Sequence, residues 1–389
     1  MNISSICSAP PNVNDAVGDF SWLLAQELRR AGDNVSIITS KSDGMPVPEE
    51  LGSVPIYFVT KDWGIQTSKE ILCMIQKLNP HVVLVHFVPQ LYGWYGAKPF
   101  LAILLFILSR RGYKIVTVAH ELFVPFGPSP KLMFLSCIHR LILNVIVKSS
   151  QKIILTSEDR FRVIAKLFPK RQSDFHKIPI GCPIPVVPVG ESSAQYLRQK
   201  LGISSGQLVV STFASIVGSD FAQLKKLLKW IIGECLNVRI LIMGKRGEEL
   251  KKHFSNDPEI LNRLFLTGVI NNQALLEYLS ISDLYIALYE EGASVRRTSL
   301  MISLACGIPT ISNVGVATDS DLRSSEAVFL IKGISYNHDI EALRHLCKNR
   351  ALRTQFGKQG QEYFNAHFSW PKLGKQYRQA IHEALPKHG

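Results

Sequence analysis

The chain has 389 residues, of which 46% are hydrophobic and 19% charged, as in a globular protein long enough for two domains with full cores. Its seven cysteines are scattered singly, without C-x-x-C pairs or a histidine at ligand spacing, which disfavours structural zinc and a disulfide framework and favours a reducing compartment. The net charge of +13 suits nucleic acid, an anionic membrane surface or a phosphate-bearing substrate, whereas lysines solvated over the whole surface would need no partner.

The first 40 residues predict a strand, a loop, a helix and a second strand. The loop contains Gly18 and Asp19, apolar residues recur at helical spacing over 22–28, and residues 35–39 form the second apolar run. A βαβ opening of this kind predicts a parallel, doubly wound α/β sheet. The absence of G-x-G-x-x-G and of a P-loop counts against a dinucleotide oxidoreductase or an ATPase. No basic segment precedes a long apolar run at the start, so we expect no signal peptide.

A buried strand is predicted at Val82–Phe87, followed by an aromatic, Gly-rich loop. The strand carries His86, and the loop carries Tyr92 and Trp94. These side chains are candidates for a sugar-acceptor site because aromatic faces stack on sugar rings. The alternative is that they are core residues beneath a loop.

Two apolar segments flanked by basic residues follow in the first half of the chain. Residues 99–108 fall short of the ~20 residues that span a bilayer and predict a buried helix. Residues 131–148 predict a second helix that packs on the core or docks on lipid head groups. We expect neither to be of bilayer-spanning length, and the pair predicts peripheral association with an anionic membrane.

Residues 114–120 predict a strand that places His120 and Glu121 at its carboxyl end. Ligands bind outside these strand ends in open α/β sheets, so His120 is a candidate site residue, with a structural histidine as the alternative. A proline-rich linker then begins at Pro183. It predicts a first domain over 1–187, a second over 188–364 and a closing segment over 365–389.

The second half predicts several strands whose ends carry candidate site residues. Residues 239–243 end in Gly244-Lys245-Arg246, and residues 265–269 end at Val269. A further strand at 284–288 leads into an acidic, Gly-containing loop, and one long helix is predicted over 340–364.

The stretch 285–313 organises this half, since it reads as strand, loop, helix and strand. Thr298 and Ser299 begin the helix and the sequence Gly307-Ile308-Pro309 ends it, which are helix start and stop signals. Arg296 and Arg297 lie at its mouth. A helix N-terminus beside two arginines suits a phosphate or diphosphate; a surface loop with solvated arginines is the alternative.

The run Leu-Ala-Cys-Gly-Ile-Pro at 304–309 resembles the end of the nucleotide-sugar signature of GT-B glycosyltransferases of the GT4-like group. His120-Glu121, the loop at Gly18-Asp19 and the closing segment after Phe368 resemble further motifs of that family. The resemblance implies an α/β GT-B fold, with two Rossmann-like domains facing across a cleft and a C-terminal helix crossing back to the first domain.

The same resemblance implies a hexosyltransferase-type enzyme that moves a sugar from a nucleotide-diphosphate sugar to a glycan or lipid-linked acceptor. It implies retention, no metal and no other cofactor, a cytoplasmic or inner-membrane-face location, and a role in surface polysaccharide or glycolipid synthesis. The implied catalytic residues are His120, Glu291 and Arg297. Donor binding is implied for Gly18, Asp19, Gly244, Lys245, Arg246, Val269, Ser294, Arg296, Arg297, Thr298 and Ser299, and acceptor binding for His86, Tyr92 and Glu121.

The chain departs from the family pattern at several ligand positions. The usual Gly-Arg and Lys-Gly pair is replaced by Ala214-Ser215 and Gly218-Ser219, and Ser294 and Ile302 stand where the family has two glutamates. Two alternatives therefore stay open: a GT-B protein that only binds a nucleotide sugar or a partner transferase, and a basic nucleic-acid-binding protein. Asp319-Ser320-Asp321 matches D-x-D, a common tripeptide, and we expect no metal there.

Overall fold

The computed structural model describes residues 1–11, 15–41, 50–59, 63–182, 184–214, 219–332 and 337–386. The chain forms two compact units. One comprises Met1–Pro183 together with Trp370–Gly389, and the other comprises Ile184–Ser369. Each unit has its own sheet and its own hydrophobic core.

An eight-stranded sheet forms the centre of the first unit. Its strands are β1 (Asn2–Ile6), β2 (Asn34–Ser40), β3 (Glu50–Leu51), β4 (Val54–Val59), β5 (Val82–Phe87), β6 (Lys114–Ala119), β7 (Lys152–Leu155) and β8 (Phe175–Lys177). They lie in the order β3-β4-β2-β1-β5-β6-β7-β8 and are parallel apart from the β3–β4 pair. Every residue of β5 is buried, as expected for a parallel strand covered on both faces.

Helices cover the two faces of this sheet. They are α1 (Ala16–Arg30), α2 (Ile65–Leu78), α3 (Phe100–Arg110), α4 (Pro130–Ser149), α5 (Glu158–Leu167) and, from the C-terminus, α15 (Trp370–His382). Short 3-10 turns occur at Pro89–Leu91, Trp94–Gly96 and Pro169–Asp174.

The first helix begins earlier than the sequence predicts. The Asp15 carboxylate accepts hydrogen bonds from the backbone N–H groups of Val17 and Gly18, at 3.0 and 2.7 Å. This N-cap satisfies donors that have no partner within the helix. Gly18 and Asp19 therefore lie in the first turn of α1 instead of in a loop. A side chain at Gly18 would clash, since a Cβ there would be 2.5 Å from the Pro10 carbonyl oxygen.

The C-terminal helix α15 belongs to the first unit. Leu373, Tyr377 and Ile381 are buried at helical spacing along one face. The Tyr377 hydroxyl donates to the Ile178 carbonyl at 3.2 Å, and Arg378 pairs with Asp33 at 2.7 Å.

The two apolar helices α3 and α4 are only partly covered. Ile103 and Phe106 of α3 are exposed, so this helix is less buried than predicted. Helix α4 reaches 20 residues and is long and apolar enough to cross a membrane by length and composition, which corrects the expectation that no segment here has that length. Core helices pass the same test, and 39% of the apolar window of α4 is buried.

The second unit is a parallel sheet with helices between its strands. The strands are β9 (Leu208–Phe213), β10 (Val238–Met243), β11 (Leu264–Leu266), β12 (Leu284–Ala287), β13 (Thr310–Asn313) and β14 (Phe329–Ile331), in the order β11-β10-β9-β12-β13-β14. The helices are α6 (Glu191–Lys200), α7 (Ser219–Glu234), α8 (Gly247–Lys252), α9 (Pro258–Leu261), α10 (Asn272–Ser280), α11 (Thr298–Ala305), α12 (Ser320–Ser324), α13 (Asn337–Lys348) and α14 (Arg350–His367).

The single helix predicted over 340–364 is two helices, α13 and α14. Asn349 separates them with an extended backbone, and its side chain accepts from the Leu352 N–H at 3.0 Å. An asparagine that caps the second helix is a stop signal which the apolar spacing does not reveal.

Candidate functional site

The candidate donor site lies in the second unit, where the loops that follow neighbouring parallel strands share one edge of the sheet. Strands β9 and β12 are adjacent in its middle, and a crevice outside such carboxyl ends is where open α/β sheets bind ligands. The loop after β12 leads directly into α11, so residues 288–297 determine which chemical groups this edge of the sheet offers to a ligand.

This loop is held against the loop after β13 by close backbone contacts. The Asn313 side chain donates to the Tyr289 carbonyl at 2.8 Å and accepts from the Tyr289 N–H at 2.9 Å. Gly292 has a φ of 93°, and a Cβ built there would lie 2.3 Å from the Gly315 nitrogen. Only glycine fits both the left-handed backbone and this approach. The loop therefore has one defined conformation in front of α11.

Asp319, the first residue of the D-x-D match, supports the same loop. Its carboxylate accepts a hydrogen bond from the Val295 N–H at 2.8 Å. The carboxylate thus has a structural partner. Within the described ranges no group of three or more His, Cys, Asp or Glu side chains could hold a metal ion.

The mouth of α11 combines an uncapped helix end with a fixed guanidinium. Arg297 is the N-cap residue, and no side chain caps the helix there. Its guanidinium carbon lies 4.9 Å from the centroid of the Tyr289 ring, and the Tyr289 hydroxyl shares a 2.8 Å hydrogen bond with the Ser299 hydroxyl. Burial raises the pKa of Tyr289 to about 12, so the ring stays neutral beneath the cation.

Both arginines share one acidic neighbour. The Glu291 carboxylate lies 3.6 Å from Nη2 of Arg296 and 3.5 Å from Nη2 of Arg297. These ion pairs are longer than well-formed charge-assisted hydrogen bonds, and the Glu291 side chain is 57% exposed. Nε of Arg297 is buried and has no hydrogen-bond partner among the described residues. Arg297 is therefore held in place, and its pairing with Glu291 is loose.

The remaining predicted donor residues of this stretch differ in exposure. Ser294 is buried, and its hydroxyl accepts a long, 3.4 Å hydrogen bond from the Arg296 N–H. Thr298 and Ser299 are half-buried at the start of α11. Ile302, at the family's second glutamate position, is 5% exposed and faces the core.

The loop after β10 brings fewer cations to this edge than predicted. Arg246 forms a two-pronged pair with Glu249 at 2.7 and 2.8 Å on the surface of its own helix, whereas Lys245 is exposed. Gly244 has a φ of 110° and donates its N–H to the Thr267 hydroxyl at 3.2 Å. Val269 is 78% exposed.

Some of the positions at which the sequence departs from the family pattern lie outside the residues that the structure describes. Ala214 is buried directly after β9, but Ser215 and Gly218 fall in the gap before α7. In the described loops after β10 and β12, the cations are Lys245, Arg246, Arg296 and Arg297.

In the first unit, two histidines meet at the carboxyl ends of β5 and β6. Nδ1 of His86 lies 3.2 Å from Nε2 of His120, and Nε2 of His86 lies 3.2 Å from the Ser5 hydroxyl. The His120 N–H donates to the Phe87 carbonyl at 3.0 Å. The Phe20 ring packs edge-on against both imidazoles, with centroid distances of 5.7 Å to His86 and 5.0 Å to His120.

Burial keeps this histidine pair neutral. It lowers the pKa of His86 to about 3. The pKa of His120 is also lowered well below its usual value, by burial first and then by the neighbouring His86 and Arg160. At neutral pH both rings therefore carry one proton each, and His120, which is half-buried, is the ring nearer to solvent.

Two of the three predicted acceptor residues are buried, and the third is exposed but paired. His86 is fully buried, and Tyr92 is 3% exposed with its hydroxyl donating to the His86 carbonyl. Glu121 is exposed but pairs with Arg160. The side chain of Trp94 lies outside the described residues. A continuous apolar run can mark His86 as part of a strand, but it does not reveal its partners, Ser5 on β1 and His120 just after β6.

Comparisons with known proteins agree with this architecture. Residues 18–184 match the sequence model of Glycosyltransferase Family 4. The structure of HepE from Anabaena in complex with UDP has a TM-score of 0.71 at 14% identity, covering 98% of this chain and 100% of that chain. No curated protein sequence matches this chain.

Two further solved structures share the fold. Sucrose-phosphate synthase from Thermosynechococcus elongatus has a TM-score of 0.67 at 17% identity, with 98% of each chain covered. WaaG, a glycosyltransferase involved in lipopolysaccharide biosynthesis, has a TM-score of 0.59 at 13% identity, with 100% of each chain covered. At these identities the likeness shows the fold.

The family model and the fold together confirm the predicted resemblance to GT-B glycosyltransferases of the GT4-like group. The match to the family model also supports the predicted enzyme class, a glycosyltransferase.

Several residues that the sequence patterns do not reveal hold the functional groups of both candidate sites in place. Tyr289, Asn313 and Gly315 hold the donor loop, while Ser5 and Phe20 enclose the histidine pair. One signal was available in the sequence: Gly292 and Gly315 each follow a predicted strand closely, where glycine often marks a close backbone approach.

Proposed function

We propose that this chain transfers a sugar from a nucleotide-diphosphate sugar to a glycan or lipid-linked acceptor, with retention and without a metal ion. The observation that carries the proposal is the mouth of α11, where Arg296 and Arg297 stand at an uncapped helix end beside the exposed carboxylate of Glu291.

This arrangement has the chemistry that a departing diphosphate requires. Negative charge grows on the leaving group as the bond to the sugar breaks, and donors fixed in advance stabilise it most effectively. A guanidinium binds phosphate oxygens in pairs, and the N–H groups of a helix N-terminus add a positive end. Arg297 is held over the Tyr289 ring, so little ordering of its side chain is needed on binding.

The relatives support a diphosphate nucleotide as the donor's leaving group, since HepE was solved with UDP. WaaG, with its part in lipopolysaccharide biosynthesis, supports a role in surface polysaccharide or glycolipid synthesis. On this proposal His120 contacts the donor sugar and Glu291 orients it.

We also propose that the protein works at the cytoplasmic face of an anionic membrane. Several large apolar side chains of the first unit remain exposed over a short stretch of sequence: Tyr95, Ile103, Phe106, Phe126, Met133, Phe134 and Leu141. Basic side chains lie among them, with Lys131 5.1 Å from the Tyr95 ring centroid and Arg140 4.1 Å from that of Phe126. The only acidic residue between Lys98 and Lys148 is Glu121. An apolar face with this charge suits anionic head groups.

Liposome sedimentation tests this location. Binding to vesicles with anionic lipid, reversed by salt, is expected to weaken when Phe134 and Leu141 on α4 are both changed to Ser. The matched control changes Val163 and Leu167, exposed on α5, in the same way and should bind like the wild type. Equal binding to neutral and anionic vesicles would contradict the proposal.

The transfer function is tested by screening nucleoside diphosphates and nucleotide sugars for thermal stabilisation, followed by a transfer or donor-hydrolysis assay. A ligand present at 100 times its Kd adds about 2.7 kcal/mol of stability. Stabilisation with turnover supports the proposal. Stabilisation without turnover would favour the binding-only alternative, and steeply salt-dependent binding of DNA or RNA would favour the nucleic-acid alternative.

A further inference from the structure

His86 has no free polar atom in its ring, although it lies beside a proposed catalytic residue. It is fully buried at the end of β5. Its two ring nitrogens lie at the same distance, 3.2 Å, from Ser5 on one side and His120 on the other. A buried histidine that only fills space in a core would not need to meet a second imidazole.

We propose that His86 is a positioning residue that fixes the ring of His120 and links the tautomers of the two imidazoles. The inference rests on the proposed function, in which His120 contacts the donor sugar. Among the described residues, His86 is the hydrogen-bonding partner of the His120 ring, so Nδ1 of His120 is the atom left for substrate.

The link between the tautomers follows from counting protons. Each ring is neutral and carries one proton, and exactly one proton can lie between Nδ1 of His86 and Nε2 of His120. If His86 donates, both rings are protonated at Nδ1. If His120 donates, both are protonated at Nε2, and His86 then donates to the Ser5 hydroxyl. In either case the two rings carry the same tautomer, and Nδ1 of His120 is a donor in the first state and an acceptor in the second.

The surroundings of the pair keep it in this arrangement. Phe20 packs edge-on against both rings, and the two imidazole planes are stacked with an interplanar angle of 27°. The backbone of His120 is fixed by its hydrogen bond to Phe87. Loss of the contact from His86 would leave the His120 side chain free to rotate about its own bonds, and a small misplacement of a reacting group can cost on the order of 10²-fold in rate.

Two substitutions separate positioning from packing. In His86→Asn the side-chain amide replaces Nδ1 and can still meet His120, whereas in His86→Gln the longer amide replaces Nε2 and can still meet Ser5. We expect His86→Asn to keep kcat within about threefold of wild type. We expect His86→Gln to lower kcat by about tenfold or more, with KM for the donor little changed, because a misplaced His120 acts on the reacting sugar. Equal loss of kcat in two folded variants would mean that His86 is only a packing residue and would overturn the proposal.

A second measurement does not depend on turnover. Nitrogen-15 spectra of labelled imidazoles report which nitrogen of each ring carries the proton, and we expect the same tautomer for His86 and His120 in the wild type. Opposite tautomers would overturn the proposal even if the enzyme is active. If no transfer is found with any donor, the proposed function fails, yet a shared tautomer in the wild type, together with a changed His120 tautomer in His86→Gln, would still support the link. If the His86 variants do not fold, the same nitrogen-15 spectra are recorded for Ser5→Ala, which removes only the hydrogen bond between Ser5 and His86.

Discussion

The two candidate sites differ in the charge and the burial of their side chains. At the ends of β5 and β6 the histidines are buried, neutral and joined to each other. At the mouth of α11 the arginines remain charged, partly exposed and only loosely paired with Glu291. A neutral pair can be buried at little cost once its hydrogen bonds are made, whereas a charge must keep access to water or a counter-ion. The comparison separates a pair of fixed, neutral polar groups from cations whose charge a ligand can neutralise.

The largest effect is expected from Arg297→Ala. Removing one donor that stabilises charge in the transition state typically lowers the rate by on the order of 10²-fold or more. Arg297→Lys should recover only part of the loss, because a point charge cannot reproduce the fork of a guanidinium. Rates of sugar transfer in purified variants provide the measurement. Arg246→Ala is the matched control, since that guanidinium is already paired with Glu249; a larger loss for Arg246→Ala than for Arg297→Ala would reverse the assignment.

His120→Ala is expected to lower transfer by about tenfold, the equivalent of one hydrogen bond in the transition state. The fold should persist, because His120 lies beyond the last residue of β6. Transfer rates and thermal melts are compared with those of His345→Ala, whose side chain is 69% exposed in the second unit. A folded His120→Ala protein with full activity would remove His120 from the site.

Gly292→Ala tests whether the donor loop depends on its close backbone contact. The new Cβ would lie 2.3 Å from the Gly315 nitrogen at a φ of 93°, so we expect a loss of more than about 2 kcal/mol in the free energy of unfolding, or a displaced loop with weaker nucleotide binding. Gly268→Ala is the matched control, since Gly268 has a φ of 64° but no atom within 4 Å of its Cβ position. That change should cost about 1 kcal/mol. Equal denaturant midpoints for the two variants would count against the close contact.

The neutral histidine pair predicts acid sensitivity of the first unit. The pKa of His86 is about 3 in the folded protein and about 6.5 in the unfolded chain. Its contribution to stability is therefore complete above pH 6.5 and is lost as the pH falls towards 3, because the unfolded chain takes up the proton first. Between pH 7.5 and pH 5 we expect the wild type to lose about 2 kcal/mol more than His86→Asn in urea unfolding. The same pH dependence in both proteins would show that His86 is not the group responsible.

The smallest effect is expected from Glu291→Gln. Removing an exposed carboxylate that competes with phosphate for both arginines should raise nucleoside diphosphate affinity by a few fold, as expected for a weak, partly exposed pair. Transfer should fall if Glu291 orients the sugar. Titration of the nucleotide and a transfer assay on one preparation separate the two effects, and lower affinity in Glu291→Gln would mean that the carboxylate supports the arginines instead of competing for them.

The sequence predicts regular elements well where one local rule decides them. Val82–Phe87 is a continuous buried strand as predicted, and α11 begins at Thr298 as predicted. Local patterns fail where a cap overrides spacing, as at Asp15 and Asn349.

The site is less predictable than the fold because its geometry depends on contacts between distant residues. The hydrogen bonds of His86 join residues from β1, from β5 and from the position directly after β6. The ion pair between Arg246 and Glu249 likewise depends on side-chain directions. The start of α11 and the two arginines before it, by contrast, are consecutive in the chain, so a sequence can reveal them.

Calorimetric titration of a nucleoside diphosphate into the wild type, Arg297→Ala and Arg246→Ala tests the central claim most directly. The ligand is chosen from UDP, ADP and GDP by the largest thermal shift of the wild type. If the mouth of α11 binds the diphosphate, Arg297→Ala should bind at least about tenfold more weakly, and Arg246→Ala should bind like the wild type. Unchanged affinity in Arg297→Ala would contradict the account, because the guanidinium would then face solvent and the diphosphate would have to bind elsewhere.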